Sequence, residues 1–325
     1  MTVMNVRRRL ISTLAATAAT TLGLATLSAC SGDAAAGGGD DSGRIDVVAS
    51  FYPMAFLAEQ IGGAHVHVSS LTQPGQEPHD LELSAQQIVQ VEKADAVLYL
   101  KNLQPAVDKT VAGSQVRTKI DAASLTTLEK HGNEVGGHAA EHDDHADEES
   151  AGLDPHIWLD PVRYAQVAEG VGKAFEKADP DHAADYKKNT AALVGRLDDL
   201  NTKFEDGLAD TRTKVFITTH AAFGYLAERY GLTEEAISGL DPDSEPSGAR
   251  VRALEKMAKA DGVSTVFYET LVSDKTAKTI AGDAGLKTDV LDPIEGIVEG
   301  KSRGKDYFAV QEANLKALRT ALGSK

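Results

Sequence analysis

Cysteine is almost absent from this chain: 325 residues carry one, Cys30. That excludes an internal disulfide framework and a cysteine-rich zinc finger, so any metal site must rest on histidine and carboxylates. Positive charge is also scarce. Lys and Arg total 33 against 49 Asp and Glu, a net charge of −16. Phosphate binding needs basic stripes, so nucleic acid is disfavoured as the main partner. Beyond Leu27 no apolar run is long enough to cross a membrane. What remains is ordinary for a folded protein: 42% hydrophobic and 25% charged residues, in a chain long enough for two cores.

The N-terminus sets the destination. Arg7, Arg8 and Arg9 precede an uncharged, Ala- and Leu-rich stretch that ends in Leu27-Ser28-Ala29-Cys30. A basic start, a short apolar run and small residues read as a secretory signal over residues 1–29. Leu-Ser-Ala-Cys resembles a bacterial lipobox, whose cysteine becomes the lipidated first residue; the plainer alternative is a signal peptide with an incidental Cys30. The three arginines leave the general and twin-arginine export routes both open. Removing residues 1–29 takes away three arginines and no acid, so the charge moves from −16 to −19. Residues 30–43 are small, polar and aperiodic, a flexible tether. Lipid on Cys30 would hold the body at the outer face of the cytoplasmic membrane.

The rest alternates strand and helix patterns, which predicts an α/β fold with mostly parallel sheets flanked by helices. Short β-branched or apolar runs at 44–51, 65–71 and 96–100 form an N-terminal lobe, 44–178. Runs at 214–219, 263–268 and 288–291 belong to a C-terminal lobe, 211–325. Between them, Asp179-Pro180 starts a helix on which Tyr186, Leu193, Leu197, Leu200, Phe204 and Leu208 form one apolar stripe. One helix over 179–210 would join the lobes; the alternative is two helices broken near Gly195. In parallel sheets ligands bind at the carboxyl ends of strands, where His220, Glu269 and Asp292 fall.

Ten histidines are unevenly placed. Residues 131–150 hold His131, His138, His142 and His145 with seven acids and no Lys or Arg. That composition reads as a solvated, metal-attracting loop, or more plainly as an acidic loop with incidental histidines. His79 lies in Gln73-Pro74-Gly75-Gln76-Glu77-Pro78-His79-Asp80, His156 in Asp154-Pro155-His156-Ile157-Trp158-Leu159-Asp160-Pro161, and His220 in Thr218-Thr219-His220-Ala221-Ala222-Phe223-Gly224.

In this order, and with Leu291-Asp292-Pro293 behind them, the motifs resemble the zinc/manganese solute-binding proteins of bacterial ABC transporters, the ZnuA/TroA-like family, over about residues 45–325. The resemblance implies two lobes joined by one long backbone helix, with the metal in the cleft between. It implies His79, His156 and His220 as ligands with Asp292 as the carboxylate, Glu77 and Glu269 being the alternatives. Three imidazoles and one carboxylate suit four-coordinate Zn(II); manganese-type members tend to carry a carboxylate where His220 stands. The resemblance further implies a non-enzymatic monomer that passes zinc to permease subunits coupled to a cytoplasmic ATPase. A manganese-specific member, a surface adhesin or storage lipoprotein, and a zinc hydrolase are the competing readings. The hydrolase lacks a helical His-Glu-x-x-His motif.

Overall fold

The computed structural model of the chain describes residues 43–131, 152–298, 302 and 304–324. The leader 1–29, Cys30, the tether up to residue 42, and His138, His142 and His145 lie outside the described residues.

Two four-stranded parallel sheets carry the fold. The first contains β1 (Ile45–Ala49), β2 (Val66–Ser70), β3 (Ala96–Tyr99) and β4 (Thr118–Asp121), in the order β2-β1-β3-β4. The second contains β5 (Val215–Thr218), β6 (Thr233–Ala236), β7 (Thr265–Tyr268) and β8 (Lys287–Val290), in the order β6-β5-β7-β8. The order is the same in both halves. Each sheet therefore reverses its winding beside its first strand, and the crevice at that switch opens at the carboxyl ends of the strands.

Local chemistry explains the helices. Pro53 sits in the first turn of α1 (Tyr52–Gly62), and Gly63, at φ +55°, ends it. Ser84 and Gln87 form a reciprocal capping box on α2 (Ala85–Lys93). A shorter helix, α3 (Pro105–Gly113), follows β3. Asp160 caps α4 (Pro161–Ala178) by accepting from Val162 N–H. The long helix α5 (Ala183–Leu208) has 26 residues, about 39 Å at 1.5 Å per residue. All six stripe residues from Tyr186 to Leu208 are buried, and the helix passes through Gly195 unbroken. The second half adds α6 (Gly224–Arg229), α7 (Gly248–Ala260), α8 (Lys275–Ala284) and α9 (Tyr307–Leu322).

α5 packs against α1 and α4 from the first half and against α9 from the end of the second. One apolar core therefore runs from Phe51 and Trp158 through Phe204 to Tyr307 and Leu318. No helix among the described residues is long and apolar enough to cross a membrane.

The α4–α5 contact depends on a missing side chain. A Cβ placed on Gly172 would lie 2.3 Å from Thr190 Oγ1, and that hydroxyl is already bonded to the Tyr186 carbonyl. Gly172→Ala is therefore expected to destabilise the protein by about 1–3 kcal/mol through overpacking. Thermal denaturation would show the melting temperature falling by about 2–4 °C per kcal/mol. An unchanged melting temperature would mean that these helices do not need the close approach.

Candidate metal centre

Each of the converging side chains stands on a segment that follows a strand or leads into a helix. His79 lies on the proline- and glycine-fixed loop between β2 and α2. Its backbone N–H donates to Glu77 Oε1 at 3.1 Å. His156 precedes the turn Ile157–Leu159 that leads into α4. His220 follows β5, and Glu295 lies five residues beyond the end of β8.

These four bring one donor atom each into a single cluster. Glu295 Oε1 is 3.4 Å from His79 Nε2, 3.5 Å from His156 Nε2 and 3.4 Å from His220 Nε2. The His156 and His220 Nε2 atoms are 3.4 Å apart. Tetrahedral zinc with bonds of about 2.0–2.2 Å spaces its ligands about 3.3–3.6 Å apart. The three carboxylate–imidazole separations and the His156–His220 separation thus fall within the span of a tetrahedral N₃O site. His156, His220 and Glu295 are buried, and the His79 side chain is 12% exposed.

Behind two of the imidazoles stands a buried carboxylate. His156 Nδ1 donates to Asp154 Oδ1 at 2.7 Å, and His220 Nδ1 donates to Glu269 Oε1 at 2.7 Å. A proton held on Nδ1 leaves the Nε2 lone pair facing the centre, the arrangement that orients metal-binding histidines. Glu269 is therefore behind His220, and Glu77 holds the backbone of His79 rather than its ring; neither is in the converging set.

Asp292, the carboxylate expected from the sequence, is also outside the set, and Glu295 takes that place. The reason is local. Asp292 Oδ1 accepts from Ile294 N–H at 2.9 Å, within the turn after β8, and Oδ2 accepts from Thr270 Oγ1 at 3.2 Å, in the loop after β7, so both oxygens are engaged by the protein.

His131 lies apart from the centre. Its Nδ1 donates to Asp154 Oδ2 at 2.9 Å, and its Nε2 is 3.7 Å from Glu228. It forms a second donor group with Glu129 and Glu228. The Arg163 guanidinium, however, is bonded to Glu129 and stands 3.6 Å from Glu228, so a cation already balances those acids.

The model of the family described as "Zinc-uptake complex component A periplasmic", ZnuA, matches residues 47–321. The chain belongs to the ZnuA family. It is 36% identical over 293 residues to the zinc-binding protein AdcA of Streptococcus pyogenes, covering 85% of this chain and 56% of that protein. This ZnuA-family chain thus spans little more than half the length of that relative. It is 33% identical to the high-affinity zinc uptake system protein ZnuA of Bacillus subtilis, covering 91% of this chain and 93% of that one. Among solved structures, the Zn(II)-bound ZnuA-like domain of Streptococcus pneumoniae AdcA is similar, with a TM-score of 0.69 and 33% identity. The match covers 86% of this chain and 99% of that chain.

The electrostatics of this ZnuA-family centre favour protonated imidazoles beside an ionised Glu295. Burial opposes the charged form of His156, but the hydrogen bond and charge of Asp154, joined by Glu295, outweigh it and raise the pKa to about 9. His220 is raised well above its ordinary value: burial again opposes, and Glu269 and Glu295 prevail. Glu295 moves the other way. Burial would raise it, yet the three imidazoles hold it well below the usual carboxylate range. Metal binding needs neutral imidazoles, so capture at neutral pH must expel these protons. Zinc binding near pH 7 is expected to release at least one proton. Affinity is expected to fall on acidification by about tenfold per pH unit for each proton released. Calorimetry in buffers of different ionisation enthalpy counts the protons; equal zinc affinity at about pH 6 and about pH 8 would contradict the linkage.

Proposed function

We propose that this protein captures Zn(II) outside the cytoplasm and delivers it to an ABC-type permease, with lipid on Cys30 tethering it to the outer face of the cytoplasmic membrane. The observation that carries the reading is the largely buried group of three imidazoles and one carboxylate, His79, His156, His220 and Glu295, whose donor atoms converge. Three nitrogens and one oxygen at four-coordinate spacing favour zinc over manganese, which prefers oxygen-rich octahedral sites. Four protein donors also fill the tetrahedron, whereas catalytic zinc keeps one position for water. Capture therefore fits the donor set better than hydrolysis.

The division of the ligands suggests how the ion is both held and given up. His79 and His156 come from the half that carries the first sheet; His220 and Glu295 come from the half that carries the second. Closing the halves on each other completes four bonds, and parting them leaves two on each side. A change of shape at the permease would then lower the affinity without touching any single ligand. The Bacillus subtilis relative is named for high-affinity zinc uptake, which supports the same role here.

Metal-competition calorimetry on demetallated protein tests the reading. One tight zinc ion per chain and weak manganese are expected, with His220→Ala weakening zinc by orders of magnitude. A manganese preference, or an unchanged affinity in the variant, would reject it. Cys30→Ala tests the anchor: the protein is expected to leave the membrane fraction, and retention there would reject lipid tethering at Cys30.

A further inference from the structure

The backbone that presents Glu295 is in a conformation its residues avoid. Ile294, the residue before it, has φ +59° and a fully buried side chain. Left-handed backbone is unfavourable for a β-branched residue and persists only where the surroundings over-determine it. Here they do. Asn314 on α9 brackets Asp292: its Oδ1 accepts from Asp292 N–H at 2.9 Å, and its Nδ2 donates to the Asp292 carbonyl at 2.7 Å. Asp292 Oδ1 in turn accepts from Ile294 N–H at 2.9 Å. The Trp158 indole donates to the Pro293 carbonyl at 2.7 Å. Every one of these partners is buried, and none belongs to the converging donor set.

An asparagine facing the core of a helix is unfavourable unless both ends of its amide are satisfied. This amide matches the N–H and C=O of one residue, and that residue caps the strained one. The hydrogen bonds form a chain from α9 through Asp292 to Ile294, and the chain ends at Glu295.

We propose that Asp292 and Asn314 are positioning residues for metal capture: they hold Ile294 in the left-handed conformation, so that the Glu295 carboxylate already faces the three imidazoles when the ion arrives. The proposal rests on the reading of Glu295 as a ligand. Asp292 acts as a hydrogen-bond acceptor for the turn and does not touch the ion. Its acceptor oxygen matters and its charge does not.

Zinc affinity by competition, the melting temperature before metal is added, and the visible absorption of the Co(II)-loaded protein test the proposal together. The Co(II) bands report coordination number, which a merely structural role would leave unmoved. Asp292→Asn keeps an oxygen for the Ile294 N–H, and zinc affinity is expected within about threefold of the unmodified protein. Asp292→Ala removes that oxygen, and Asn314→Leu removes both brackets. Each is expected to weaken zinc about 10–100-fold, as loss of a partner behind a ligand does, and to shift the Co(II) spectrum away from the four-coordinate form. Asp292→Asn as damaging as Asp292→Ala would overturn the proposal, because the charge would then be what matters. So would an unmodified spectrum and affinity in both Asp292→Ala and Asn314→Leu. Should Asn314→Leu fail to fold, the Asp292 pair still decides. Glu295→Gln separates the two levels: an unchanged zinc affinity there rejects Glu295 as a ligand, whatever the Asp292 variants do.

Discussion

One carboxylate buried among three imidazoles is the interaction on which the arrangement depends. A charged group deep in a protein costs far more than burial of apolar atoms can offset, unless it is paired and hydrogen-bonded. Glu295 is 1% exposed, and its Oε1 lies within 3.5 Å of three Nε2 atoms. The imidazoles in turn need anions behind them, which Asp154 and Glu269 supply. Anion and cation alternate outward from the centre. Removing any member leaves a buried charge without its partner, so the whole set must be assembled together.

Assembly is the work of the two sheets. The two sheets share one strand order, and the segments that follow their strands bring four donors together, two from each half. The long helix α5 and the shared apolar core set the distance between the halves. Trp158 does more than fill space. Its indole bonds to Pro293 in the opposite half, and Tyr307 on α9 donates to its carbonyl at 2.6 Å. Trp158 is two residues from His156, and Pro293 is two residues from Glu295. One side chain therefore couples the positions of two donors from different halves, without occupying the centre itself.

Much of this was legible in the sequence, and the exceptions have physical causes. The α5 stripe was readable because six large apolar residues repeat at helical spacing, although the regular helix begins at Ala183 rather than at Asp179. The loop positions of His79, His156 and His220 were readable because prolines or strand ends flank them. β6 was not, because Thr233–Ala236 contains Glu234 and Glu235, two residues that belong on a surface by type. Glu234 is buried there because its carboxylate accepts from Thr218 Oγ1 and Phe223 N–H; only tertiary structure reveals those partners. The donor carboxylate shows the same limit on a finer scale. Asp292 and Glu295 are three residues apart, and both are acids just past a strand. Between them stands the left-handed Ile294, a backbone state that no propensity of isoleucine suggests. The signal available was a second acid soon after Asp-Pro, too short to rank the two.

On the proposed role in zinc capture, the same charge alternation would resolve a difficulty in carrying a metal ion. A site tight enough to capture zinc at trace levels leaves, once emptied, three acids in a buried cleft: Asp154, Glu269 and Glu295. Unbalanced, buried anions so close together would destabilise the fold. The raised pKa values of His156 and His220 mean that protons take over the balancing role. Proton and zinc are alternative cations for the same carboxylates, exchanged at the same nitrogens. The cost of discharging the ion is therefore not the full cost of exposing buried anions, because protons enter as the metal leaves. Tight capture and delivery would be compatible in one such site because the donors never face each other uncompensated.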